Sequence, residues 1–130
     1  MNTVSNIRSF EDLECWKQAA GIRRKISLMV RSFPSEEKFR LSDQMIRASR
    51  SVTNNIAEGY GRYHFLENAK FCRNSRGSLT ELQDHLLVAL DEKYITTEIY
   101  NELKNDILNC QKVLNGYVKY LLKAKLEDAQ

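Results

Sequence analysis

The chain is predicted to be all-α, an up-down antiparallel four-helix bundle. Three observations point there. Apolar residues recur at steps of three and four in four successive segments, the spacing that places side chains on one helix face. One proline and five glycines in 130 residues leave few breaks. No segment shows the two-residue alternation of a half-buried strand. A chain of this length is one domain, residues 1–130, with a core expected over about 9–122 and frayed termini.

The first helix is expected to open at Ser9. Ser9-Phe10-Glu11-Asp12 reads as a capping box, with Asp12 in the reciprocal place usually held by Glu. Leu13, Trp16, Ala20, Ile26, Met29, Val30 and Phe33 follow on one stripe. Pro34 ends it, because a proline pushes the preceding residue out of the α region.

The second helix is expected to take Ser42 as N-cap, with Leu41 and Ile46 as a hydrophobic staple. It should end near Gly59 and Gly61, where glycine tolerates the left-handed cap. It carries two adjacent stripes. Leu41, Met45, Ala48, Val52 and Ile56 are apolar; Gln44, Arg47, Ser51, Asn55, Glu58 and Arg62 are polar. We read the polar stripe as a buried structural network that meets Ser78 and Glu81 of the third helix, since buried polar groups need partners. A docking face for another molecule is the alternative.

The third helix runs through Phe65, Asn68, Cys72, Ser75, Leu79, Leu82, Leu86 and Ala89. At 1.5 Å per residue it is about 40 Å long. Ser75, Gly77 and Ser78 at its middle suggest a close helix crossing there. The fourth helix begins near Thr96, with Ile99, Leu103, Ile107, Cys110, Leu114, Val118 and Leu121 inward and a frayed tail after Lys123.

Composition narrows the function classes. Apolar content of 42% and charged content of 28% are those of an ordinary globular protein. No apolar run reaches the roughly 20 residues that cross a membrane, and MNTVSNIRSFEDLE has no apolar signal core. No membrane association and a cytoplasmic location are therefore expected. Cys15, Cys72 and Cys110 stand in separate helices without metal-ligand spacing, as reduced packed thiols do. Glu81-Leu82-Gln83-Asp84-His85 is off register for a bundle metal site and has no second copy, and His64 sits in a turn. Gly59-Tyr60-Gly61-Arg62 lacks the lysine and hydroxyl of a phosphate loop. No metal, cofactor or catalytic residue is expected, and the chain reads as a non-enzyme.

Charge is uneven. Residues 1–76 hold 14 Lys/Arg against 8 Asp/Glu, and residues 77–130 hold 6 against 9, within a net charge of +3. Lys17, Arg24 and Arg31 recur every seven residues, with Arg23 and Lys25 beside them, and Arg40, Arg50, Arg73 and Arg76 elsewhere in the basic half. A basic helix face is a footprint of nucleic-acid binding, and Tyr60, Tyr63 and Phe65 offer rings either to stack on bases or to plug the bundle end.

The motifs together resemble a known family. Phe10-x-x-Leu13-x-x-Trp16-x-x-Ala19, Phe33-Pro34-x-x-Glu37, Gln44-x-x-Arg47-Ala48-x-x-Ser51, Asn55-Ile56-Ala57-Glu58-Gly59, Arg62 and Gly77-Ser78-Leu79-x-Glu81-Leu82 are similar to the S23-type four-helix bundle proteins encoded within 23S rRNA intervening sequences. Ser75 stands where that family usually has alanine. The resemblance implies a homo-oligomer, a ring of five protomers. It also implies kinship to accessory proteins of diversity-generating retroelements, which bind nucleic acid, RNA or DNA, and a reverse transcriptase. It implies no enzyme activity.

Overall fold

Ser9 opens the structure as its sequence predicts. In the computed structural model, which describes residues 6–128, the Ser9 hydroxyl accepts from the Glu11 N–H at 3.1 Å and the Asp12 carboxylate accepts from the Ser9 N–H at 3.2 Å. Hydrogen bonds from the Arg8 N–H and the Ser9 N–H hold the Asp12 carboxyl below its ordinary pKa. The box caps a single 3-10 turn, Phe10–Asp12, rather than the long helix. Leu13 is extended, and α1 follows as Glu14–Met29. Two further 3-10 turns, Val30–Ser32 and Ser35–Glu37, flank Pro34.

The remaining helices are α2 (Leu41–Gly61), α3 (Phe65–Asp91) and α4 (Thr97–Asp128). Helix α2 begins at Leu41, one residue before the predicted cap. The Leu41 N–H donates to Glu37 Oε1 at 3.4 Å, so the cap comes from the preceding turn and Ser42 is buried inside the helix. The Thr96 hydroxyl caps α4 by accepting from the Ile99 N–H. Helix α4 continues to Asp128, past the point where fraying was expected; residues 1–5 of the leading segment and the last two of the tail lie outside the described residues.

Contacts between helices fix their directions. Ser51 meets Ser78 and Val52 meets Ser75, while Gly59 lies against Asn68, so α2 and α3 run antiparallel. Asn68 reaches Tyr117 and Gln83 reaches Tyr100, so α3 and α4 do too. Helix α1 packs on α2 and α4, completing an all-helical four-helix bundle without strands among the described residues.

The α2 apolar stripe is buried throughout. Ile26, Met45, Ile56, Leu79, Leu82, Leu86, Ile107 and Leu114 are fully enclosed. Each contributes roughly 1.5–3 kcal/mol of transfer free energy. One α4 position differs from expectation. Ile99 stays 42% exposed and its neighbour Tyr100 turns inward instead. Both steps onto Leu103, three or four residues, are helical, so periodicity alone does not separate them. The Tyr100 hydroxyl accepts a hydrogen bond from Gln83 Nε2 at 3.3 Å, which satisfies its polar end.

No glycine takes the left-handed conformation at the turns. Tyr63 does so after α2 (φ 58°) and Lys93 after α3 (φ 63°). At Lys93 the N–H groups of Lys93 and Tyr94 bond back to Leu90 and Ala89, a Schellman closure.

Gly59 serves a different purpose. A Cβ placed there would sit 2.8 Å from Phe71 Cβ and from Asn68 Oδ1. The close crossing of α2 and α3 is therefore at Gly59 and at Ser75, whose hydroxyl donates to the Val52 carbonyl at 2.8 Å. It is not at Gly77, which faces open space. The two glycines should respond oppositely to alanine. Gly59→Ala should cost roughly 1–3 kcal/mol by overpacking, whereas Gly77→Ala should gain up to about 1 kcal/mol from helix propensity. Chemical denaturation of both variants checks this; equal effects would refute the crossing.

Candidate nucleic-acid interface

Helix geometry sorts the predicted basic residues. Cys15, Ala19, Ile22 and Ile26 face the core. Lys17 and Arg24 project from the opposite side, because seven residues drift only about 20° on an ideal helix. Arg31 lies beyond the end of α1, in the Val30–Ser32 turn, where tighter winding rotates it somewhat further. All three are exposed, and none makes an ion pair among the described residues.

Arg23 and Lys25 point elsewhere. Arg23 turns toward α2, where Nη1 donates to Thr53 Oγ1 at 3.0 Å and the guanidinium lies 5.8 Å from the centre of the Trp16 ring. Lys25 turns toward α4 and pairs with Asp106 at 2.7 Å and Glu102 at 3.4 Å. The Asp106 hydrogen bond is the main cause of its raised pKa. Lys25 is thus a cross-helix tie rather than part of an open cationic row.

Between α1 and α2 lies a groove of about 450 Å³ lined by Phe10, Trp16, Arg23, Arg50, Thr53, Asn54 and Ala57. It contains two arginines and no carboxylate. The α1/α4 groove, also about 450 Å³, mixes Lys25 and Lys112 with Asp106. Sequence reading counted Arg50 only as background charge. The available signal was its place beside Thr53, Asn54 and Ala57, about two helix turns on the face that meets Trp16 and Arg23.

The polar stripe of α2 does not form the expected internal network. Only Ser51, Asn55 and Ser78 join. The Ser51 and Ser78 hydroxyls lie 2.9 Å apart, and Asn55 Nδ2 donates to Ser51 Oγ at 3.0 Å. Gln44 is exposed. Arg47, with 80% of its side chain accessible, pairs with Asp43 at 3.0 Å. Glu58 pairs with Arg62 at 3.5 Å, both about half exposed. Glu81 pairs with His85 at 3.0 Å, not with α2. The stripe lies between the core face and the outer face of its helix, so its longer side chains reach water and pair locally.

Among the described residues, no group of His, Cys, Asp and Glu is placed to hold a metal. The three cysteines are buried as free thiols, and burial pushes Cys72 and Cys110 up to about 12 and Cys15 upward as well, leaving them protonated at neutral pH. Among the described residues, no helix is long and apolar enough to cross a membrane. Of the three rings near Arg62, Tyr60 and Phe65 pack partly against the core, as plugs do, and Tyr63 is exposed.

Fold and surface thus define a small helical bundle with a charged exterior. The family is specific: a family model for the 23S rRNA-intervening sequence protein matches residues 11–116, and the chain belongs to that family. A crystal structure from Bacteroides thetaiotaomicron, described as a protein of unknown function from the S23 ribosomal protein family, is similar in fold. It has a TM-score of 0.74 and 22% identity over 81% of this chain and 95% of that one. No curated protein matches the chain.

Exposed i,i+4 pairs contribute little, about 0.3–0.5 kcal/mol. Glu58→Ala should therefore leave the melting temperature of the protomer fold nearly unchanged. A loss of several kcal/mol in thermal or chemical unfolding would show that the carboxylate is enclosed after all, as in a subunit interface.

Proposed function

We propose that the protein is a non-enzymatic, cytoplasmic, oligomeric bundle that binds structured RNA through the basic outer face of α1. The observation that supports this is the charge sorting on that helix. Lys25 is neutralised by α4 carboxylates, whereas Lys17, Arg24 and Arg31 face solvent and make no ion pair among the described residues. The acid-free α1/α2 groove extends the same positive surface. In a ring of five protomers, the assembly suggested by family resemblance, the row would repeat around the rim. Many weak phosphate contacts would then act together, which allows a chain of modest net charge to hold a polyanion.

Two measurements test the reading. Sedimentation equilibrium should give a homo-oligomer at micromolar protein, and a monomer would refute the assembly. Electrophoretic shift of structured RNA should give micromolar or tighter binding at low salt that weakens steeply with added salt. The double variant Arg24→Glu, Arg31→Glu should lose binding while circular dichroism stays helical. Equal binding by that variant, or no retardation of any RNA or DNA by the unmodified protein, would leave the chain as a protein-interaction module, with a reverse transcriptase among the partners the family resemblance suggests.

A further inference from the structure

We propose that the α1/α2 groove is a subsite for one unpaired nucleotide of RNA, its base stacked on the Arg23 guanidinium and its phosphate held by Arg50. This rests on the RNA-binding reading above and adds the element of RNA recognised.

The groove is organised before any ligand arrives. Phe10 meets the Trp16 ring edge-on, with centroids 5.4 Å apart and planes at 65°. Phe10 is itself fixed by the capped turn that begins at Ser9. Trp16 in turn supports the Arg23 guanidinium, and Thr53 holds it from the α2 side. A guanidinium between an indole and a hydroxyl keeps a flat cationic face with little freedom left to lose. RNA-binding proteins stack splayed-out bases on such planes as well as on aromatic rings. Arg50 is exposed on the groove's other wall and makes no ion pair among the described residues. Its forked donors suit a phosphate. Asn54 lines the same wall with an exposed amide that can donate to and accept from a base edge.

The arrangement favours an unpaired nucleotide over a duplex. In a helix the bases are stacked inside and only backbone and groove edges are presented, so no base face can reach Arg23. It also favours RNA over an acidic peptide, whose carboxylates would engage both arginines but leave the stacking plane unused.

The chain has a single tryptophan, so Trp16 emission reports on this groove directly. The full chain is titrated with oligouridylate, with a fully paired RNA duplex of equal length and with poly-glutamate. Trp16 emission is read alongside the anisotropy of the labelled ligand. Oligouridylate should bind with a saturable change in emission that the duplex and poly-glutamate do not produce. Arg23→Ala should weaken its binding by about tenfold or more, the value of one stacked base. Arg50→Ala should do likewise, while Arg50→Lys retains most of the affinity and circular dichroism remains unchanged for all three. RNA binding with unaltered emission and unaltered affinity in both alanine variants would overturn the subsite and leave the α1 surface reading standing. An equal emission change with duplex would also overturn it, and one with poly-glutamate would point to an acidic protein partner instead. Absence of RNA binding by anisotropy would overturn both.

Discussion

The close approach of α2 to α3 is the constraint on which the rest of the molecule depends. Gly59 admits Phe71 and Asn68 of α3 where any side chain would push the helices apart. Seven residues along α3 from Asn68, Ser75 donates into the α2 backbone at Val52. With α2 and α3 locked in register, Leu79, Leu82 and Leu86 of α3 are buried in one core with Met45 and Ala48 of α2, and α1 and α4 close over the remaining side. The Asn68 amide illustrates how polar groups are accommodated at this seam. Its oxygen accepts from the Cys72 thiol and its nitrogen donates to the Tyr117 hydroxyl. The seam is therefore apolar in bulk but carries specific hydrogen bonds that fix one alignment.

The exterior follows from the same packing. Each helix of a four-membered ring has a core face, two flanks and an outer face. On α1 the two flanks carry Arg23 and Lys25, and the two neighbours treat them differently. Helix α4 supplies Asp106 and Glu102, which cancel Lys25. Helix α2 supplies a hydroxyl to Arg23, and the charge it adds to the shared groove is Arg50. The uneven charge along the sequence thus becomes a difference between two grooves of similar size, one mixed in sign and one purely cationic.

Periodicity made much of this legible from residues alone. The five apolar positions of α2, the α3 series from Asn68 to Ala89 and the Ser9 capping box all stand where spacing and cap chemistry put them. What failed depended on neighbours that a linear reading does not see. Gly59 and Gly77 look alike in sequence, and only the crossing point tells them apart. Ile99 and Tyr100 satisfy the same period, and a distant glutamine decides between them. The α2 polar stripe has seam spacing, yet it lies at the edge of the buried sector, so Ser51 and Asn55 are tied in while Arg47 and Glu58 extend past it. The basic cluster was visible as a cluster, but not the division of Arg23 and Lys25 between opposite flanks.

Glu37 has a consequence for how the bundle opens. One carboxylate oxygen accepts from the first N–H of α2, and the other accepts from the Tyr94 hydroxyl at 2.8 Å, beside the contact of Phe33 with the Tyr94 ring. The connection from α1 to α2 and the connection from α3 to α4 are therefore latched to each other by one side chain. A fluctuation that lifts either connection must break the shared latch and free the other. That end of the bundle should behave as one cooperative unit, while the α2–α3 turn, with its exposed Tyr63, fluctuates independently at the opposite end. The molecule would then have one stiff end and one compliant end, a mechanical polarity set by a single glutamate.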